Sequence, residues 1–138
     1  TENVAAIVGF GVAARLALEE LGMRSEKMAH LRSQLEEGLR ALRGVVVFAQ
    51  ASARLPNTVQ FAVSGFEGEA LVMRLDQAGF AVSSGSACAM GGHEPSPVLL
   101  AMGVDPLTAQ SAIRVSLGAS NTVEEVAAFL EALQGLIP

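Results

Sequence analysis

Thr58-Val59-Gln60-Phe61-Ala62-Val63 puts Val59, Phe61 and Val63 on one side of an extended chain, the period of two that marks a strand with one apolar face. Just upstream, Leu55-Pro56-Asn57 separates this run from the β-branched stretch Val45 to Phe48, which reads as a neighbouring strand. Downstream, Glu67 to Ala78 predicts a helix ended by Gly79, and Phe80-Ala81-Val82 a brief strand after it. Ala112 to Ser116 is a further strand. Its alternation sends Ile113 and Val115 to one face and Arg114 to the other, away from the side on which helices pack.

The flanking segments supply those helices. Glu2 to Leu21 reads as a helix that is apolar almost all round in its first half and is stopped by Gly22. Such a helix needs cover on several sides, which points to a large domain or a second subunit against it. Ser25 then caps a second helix to about Leu42, with Met28, Leu31, Leu35, Leu39 and Leu42 in one stripe. Ser96 and Pro97 start a short helix running to Met102, with Gly103 as its stop. Thr122 and Glu125 form a capping box, and Val126, Phe129, Leu130, Leu133 and Ile137 line a terminal helix. The pattern predicts an α/β (α+β) two-layer domain: a small, mostly antiparallel sheet with helices on one side, and residues 1–138 forming one unit.

Composition narrows the function. A formal net charge of −5, with 9 Lys plus Arg among 138 residues and no basic run, argues against nucleic acid and anionic membrane as partners. The apolar run Val4 to Ala14 is cut by Arg15, short of the ~20 residues a spanning helix needs. One cysteine excludes an internal disulfide, no Cys/His grouping offers a metal site, and a reducing cytoplasm fits best.

That cysteine, Cys88, lies in Ser83-Ser84-Gly85-Ser86-Ala87-Cys88-Ala89-Met90-Gly91-Gly92-His93-Glu94-Pro95-Ser96. A lone thiol is commonly a buried packing group. Here the surroundings are small, polar and glycine-dense, and Gly91-Gly92 has no side chain to pack, so a thiol built for reach is the better reading. His93 is read as a solvated loop histidine rather than a proton shuttle, and His30 as blander still. Met23, Met28, Met73, Met90 and Met102 are dispersed and read mostly as core filler.

The cysteine segment also resembles the active-site loop of the pyridoxal-phosphate cysteine desulfurases of the NifS/IscS-like type, fold type I enzymes of aminotransferase class V that supply sulfur for iron-sulfur cluster assembly. The likeness extends in order through Leu55-Pro56-Asn57-Thr58, Glu67-Gly68-Glu69-Ala70-Leu71, Ser111-Ala112-Ile113-Arg114-Val115-Ser116-Leu117-Gly118 and Asn121-Thr122. Ala89-Met90 departs from it, since the family more often has small hydroxyl residues after the cysteine.

What the resemblance implies is specific. Cys88 is the nucleophile that takes sulfur from L-cysteine as a persulfide, releasing L-alanine. Arg114 clamps the substrate α-carboxylate, and Thr1 touches the cofactor phosphate of the opposite subunit in a homodimer. An iron-sulfur scaffold or other acceptor protein then receives the sulfur. The resemblance covers only the C-terminal small domain of such an enzyme, and the chain starts at Thr1 without an initiator Met, so it reads as a fragment lacking the N-terminal pyridoxal-phosphate domain. The sole lysine, Lys27, sits in a charged helical stretch with no glycine-rich phosphate cradle and is a poor Schiff-base candidate. The chain alone is therefore expected to bind no cofactor and to be inactive. Two other readings stand beside this one: a self-standing persulfide-carrier or redox module, and the interaction half of a split enzyme.

Overall fold

The computed structural model describes residues 1–84 and 94–137. Four strands, β1 (Val45–Val47), β2 (Thr58–Val63), β3 (Ser83–Ser84) and β4 (Ala112–Ser116), form one sheet in the order β1-β2-β4-β3. Every neighbouring pair is antiparallel. Helices α1 (Val4–Ala41), α2 (Gly68–Gln77) and α5 (Val123–Leu136) cover one face. Against them β2 and β4 turn Val59, Phe61, Val63, Ile113 and Val115, which join Leu31, Leu35 and Leu39 of α1, Leu71 and Leu75 of α2, and Val126, Phe129 and Leu133 of α5 in a single core. The expected alternation of both strands thus decides which face is covered. Burying each such aliphatic or aromatic side chain contributes about 1.5–3 kcal/mol.

Two helices were expected before β1, and there is one. Gly22 does not stop the chain and Ser25 does not cap; α1 runs for 38 residues, about 57 Å. A helical glycine costs only about 1 kcal/mol relative to alanine, and its neighbours Leu21, Met23, Arg24, Glu26 and Lys27 include good helix formers. Glu20 and Arg24 form an ion pair across Gly22. The start is Asn3, whose Oδ1 accepts from the Ala6 N–H at 3.1 Å, rather than Glu2. Only the C-terminal part of α1 belongs to the core. No residue ahead of Leu31 is buried, and Phe10 and Leu18 are 77% and 75% exposed.

Other expectations shift. The brief strand lies at Ser83–Ser84 and not at Phe80-Ala81-Val82, because pairing with β4 is made at Arg114 and Ile113. A helix missed in the sequence, α4 (Pro106–Gln110), follows α3 (Pro97–Ala101). Asp105 caps α4 by accepting from the Thr108 N–H at 3.0 Å, and Pro106 occupies its first turn, the signal that was available. Leu99 of α3 and Ala109 of α4 pack with Phe48, Ala62 and Ala112 in a small second cluster, so these short helices sit by the sheet face opposite α1, α2 and α5. The methionines are not core filler: Met23, Met73 and Met102 are exposed and Met28 is half-buried, while Met90 lies outside the described residues. Met23 falls on the uncovered part of α1 and Met73 on the outer side of α2, away from Leu71 and Leu75.

Close approach fixes Gly68, where a Cβ would meet the carbonyl oxygens of Gln110 at 2.8 Å and Ala112 at 2.9 Å. The long connection between β1 and β2 is tied to α1 by charge. Arg54 Nη2 donates to Glu36 Oε1 at 2.7 Å, Arg32 lies 3.7 Å from the same oxygen, and Arg32 Nη1 donates to the Leu55 carbonyl at 2.7 Å.

Candidate active site

Arg114 is the sequence-predicted site residue that the fold places most informatively. It lies mid-strand on β4, with Gln60 of β2 directly opposite on one side and Ser83 of β3 on the other. By strand parity it shares the face of Ala112 and points away from Ile113 and Val115, as the alternation predicts. It is half-buried, and among the described residues its guanidinium has neither a hydrogen bond nor an ion pair. A planar guanidinium in that condition can take a carboxylate through two parallel N–H donors.

Cys88 and His93 lie outside the described residues. Thr1 is exposed and precedes α1; about 40 Å of helix separates it from Leu31, the first buried residue. Within one copy of the chain the fold does not bring Thr1 to Arg114. Lys27 is also exposed, and its Nζ donates to the carbonyl oxygen of Ala119 at 2.6 Å. Among the described residues no three His, Cys, Asp or Glu side chains gather as a metal site, and no helix is long and apolar enough to cross a membrane.

A cavity of about 390 Å³ opens elsewhere, between the 79–82 segment, the end of β4 and the start of α5, with Phe80, Val82, Val115, Leu117 and Phe129 among its walls. Val115 faces the long helices, so this cavity lies on the other side of the sheet from Arg114. Its polar lining includes Asn121 and Glu125, the latter a member of the predicted capping box. Glu125 Oε2 accepts from Asn121 Nδ2 at 2.8 Å and from the Thr122 N–H at 3.1 Å, while Thr122 Oγ1 accepts from the Glu125 N–H at 3.3 Å. The Asn121 amide, then the Thr122 N–H and the charge of Lys27, hold the Glu125 carboxyl below its usual range. These groups are spent on helix capping.

The family model described as aminotransferase class-V matches residues 1–129. Cysteine desulfurase IscS of Clostridium botulinum (strain Hall) is 44% identical over 140 aligned residues, covering 99% of this chain and 35% of that protein. The IscS-like cysteine desulfurase of Mycobacterium tuberculosis is 40% identical over 139 residues, with 99% and 35% covered. Among solved structures, a NifS-like protein from Rickettsia africae superposes with a TM-score of 0.85 at 35% identity, covering 99% of this chain and 35% of that one. The apo cysteine desulfurase of Thermococcus onnurineus gives a TM-score of 0.77 at 25% identity, with 99% and 32% covered. The chain thus spans about a third of the length of the proteins it matches.

Proposed function

We propose, for a chain that belongs to the aminotransferase class-V family, that it is the C-terminal small domain of a pyridoxal-phosphate-dependent cysteine desulfurase, in which Cys88 is the nucleophile and Arg114 the carboxylate clamp. The observation that carries this reading is the register Ser83 to Arg114. Ser83 and Ser84 lead into the segment of Cys88, so the thiol is tethered to the strand that flanks the arginine. Chain connectivity alone keeps the Cys88 Cα within about 14 Å of that of Ser84.

In this account Arg114 holds the α-carboxylate of L-cysteine and presents the substrate sulfur to Cys88 Sγ. The thiolate forms an S–S bond to that sulfur while the substrate Cβ–S bond breaks; its electron pair passes to the carbon skeleton, which leaves as L-alanine after protonation. The enzyme keeps a persulfide on Cys88 for transfer to an iron-sulfur scaffold or another acceptor. Pyridoxal phosphate, held by the remainder of a longer protein, supplies the electron sink that makes the sulfur a tolerable leaving group. No residue of this chain is assigned to hold its aldehyde. The Thr1 role across a homodimer and a cytoplasmic location belong to the same proposal.

The uncovered part of α1 supports a chain that is one portion of a larger assembly. Val4, Ile7, Val8, Phe10, Leu18 and Leu21 are all more than half exposed, an apolar surface of the kind that marks a contact with further protein. The kinetic test uses a longer enzyme carrying this domain. Arg114→Ala should lower kcat/KM for L-cysteine roughly 30-fold to several thousand-fold, the consequence of losing about 2–5 kcal/mol from a desolvated carboxylate pair. An unchanged kcat/KM would remove Arg114 from the clamp.

A further inference from the structure

The neighbours of Arg114 carry the argument one step further. Gln60, Arg114 and Ser83 form a row across β2, β4 and β3, each directly opposite the next in antiparallel register. Residues so placed share one face of the sheet, with Cβ atoms about 4.5–5.5 Å apart. All three are half-buried. Among the described residues none of their side chains makes a hydrogen bond or an ion pair, and none of their polar atoms is sealed from solvent. The next row toward the short helices, Ala62 and Ala112, is small and apolar and packs with Leu99 and Ala109. The polar row is therefore a strip of uncommitted donors with an apolar wall on one side.

From this juxtaposition we infer that Gln60 and Ser83 complete the carboxylate site of Arg114: the Gln60 side-chain amide and the Ser83 hydroxyl donate to the oxygens that the guanidinium holds. The inference rests on the reading of Arg114 as the clamp and assigns two further residues to the same site. Its chemistry follows from the donor inventory. A carboxylate presents about four lone-pair positions, and a bidentate guanidinium fills two of them. An amide on one flank and a hydroxyl on the other match the remaining two. The row holds one positive charge and no negative one, so it suits the monoanionic carboxylate of a small amino acid. Flanking side chains also limit the arcs through which the long arginine swings, which makes Gln60 a positioning residue as well as a donor.

The test reads the modification of Arg114 by phenylglyoxal in this chain, followed by peptide mass spectrometry, as sodium acetate is added against sodium chloride at equal ionic strength. Acetate should protect Arg114 where chloride does not. Gln60→Leu and Ser83→Ala should each raise the half-protecting acetate concentration about tenfold, the loss expected for one hydrogen bond to a charged group. Gln60→Glu should protect Arg114 with no acetate present, since its carboxylate stands opposite the guanidinium in the strand register. Acetate protection that is unchanged in Gln60→Leu and Ser83→Ala would overturn the inference and leave the Arg114 reading standing. Equal protection by acetate and chloride would remove both.

Discussion

Ser83 of β3 pairs directly with Arg114 of β4, so the strand that leads into the cysteine segment is the one that flanks this arginine. The pairing is short, two residues against two, and it lies at the edge of the sheet. It links a polar strand side chain with a tethered thiol in a way that neither residue discloses by itself. Ser84, next along, is opposite Ile113 and so belongs to the face of the long helices. Of the two serines, only Ser83 stands in the row of Arg114.

The continuity of α1 makes Gly22 a direct probe of the fold. Gly22 is not among the glycines with positive φ, and nothing lies within 4 Å of the position a Cβ would take. Gly22→Ala should therefore increase helix content and slow amide exchange around residue 22, with a local gain of about 1 kcal/mol. Loss of helicity in circular dichroism would instead indicate a left-handed cap and two separate helices.

Gly68 and Gly38 should respond differently to the same substitution. At Gly68 the obstacle is backbone, the carbonyls of Gln110 and Ala112. Gly68→Ala should cost about 1–3 kcal/mol in urea unfolding by forcing α2 away from the start of β4. At Gly38 the obstacle is a side chain, both methyls and the Cγ of Leu130, which can shift where backbone cannot. Gly38→Ala should therefore cost less than Gly68→Ala, and the reverse order would contradict the packing described.

Acid should loosen the start of α5. The Glu125 carboxyl is held below its usual 4.5 chiefly by the Asn121 amide, then by the Thr122 N–H and the charge of Lys27. Because its value is depressed in the fold, its contribution is complete above 4.5 and is lost as the pH falls through the lower folded value. Unfolding midpoints of the parent chain and of Glu125→Gln should differ at neutral pH and converge in acid. A gap that stays constant from neutral pH into acid would exclude the carboxylate as its source.

Much of this architecture is legible in the sequence because burial is periodic. Val59, Phe61 and Val63 alternate, Leu31, Leu35 and Leu39 repeat at helical spacing, and all six are buried in the one core. Thr122 and Glu125 carry their capping box in their identities. The boundary at Gly22 misleads because glycine is permissive rather than prohibitive within a helix, and the helix formers around it, with the Glu20–Arg24 ion pair, carry α1 through. Strand β3 is displaced because pairing register, not local propensity, sets its position. At the site, the side of β4 on which Arg114 lies follows from alternation, whereas Gln60 and Ser83 become its neighbours only through register between strands distant in sequence. No local pattern encodes that register. The position of Cys88 in the chain is plain, and its chemistry comes from the resemblance of its flanking residues.

The central claim is that Cys88 receives sulfur from a substrate held by Arg114. It is tested most directly by incubating a longer, cofactor-loaded enzyme carrying this domain with L-cysteine, trapping thiols by alkylation and mapping added sulfur by peptide mass spectrometry. The account predicts one extra sulfur atom on the peptide containing Cys88, none there in Cys88→Ser, and strongly reduced labelling in Arg114→Ala at low substrate concentration. L-Alanine production at the parental rate by Cys88→Ser, or added sulfur found only on another residue, would contradict it.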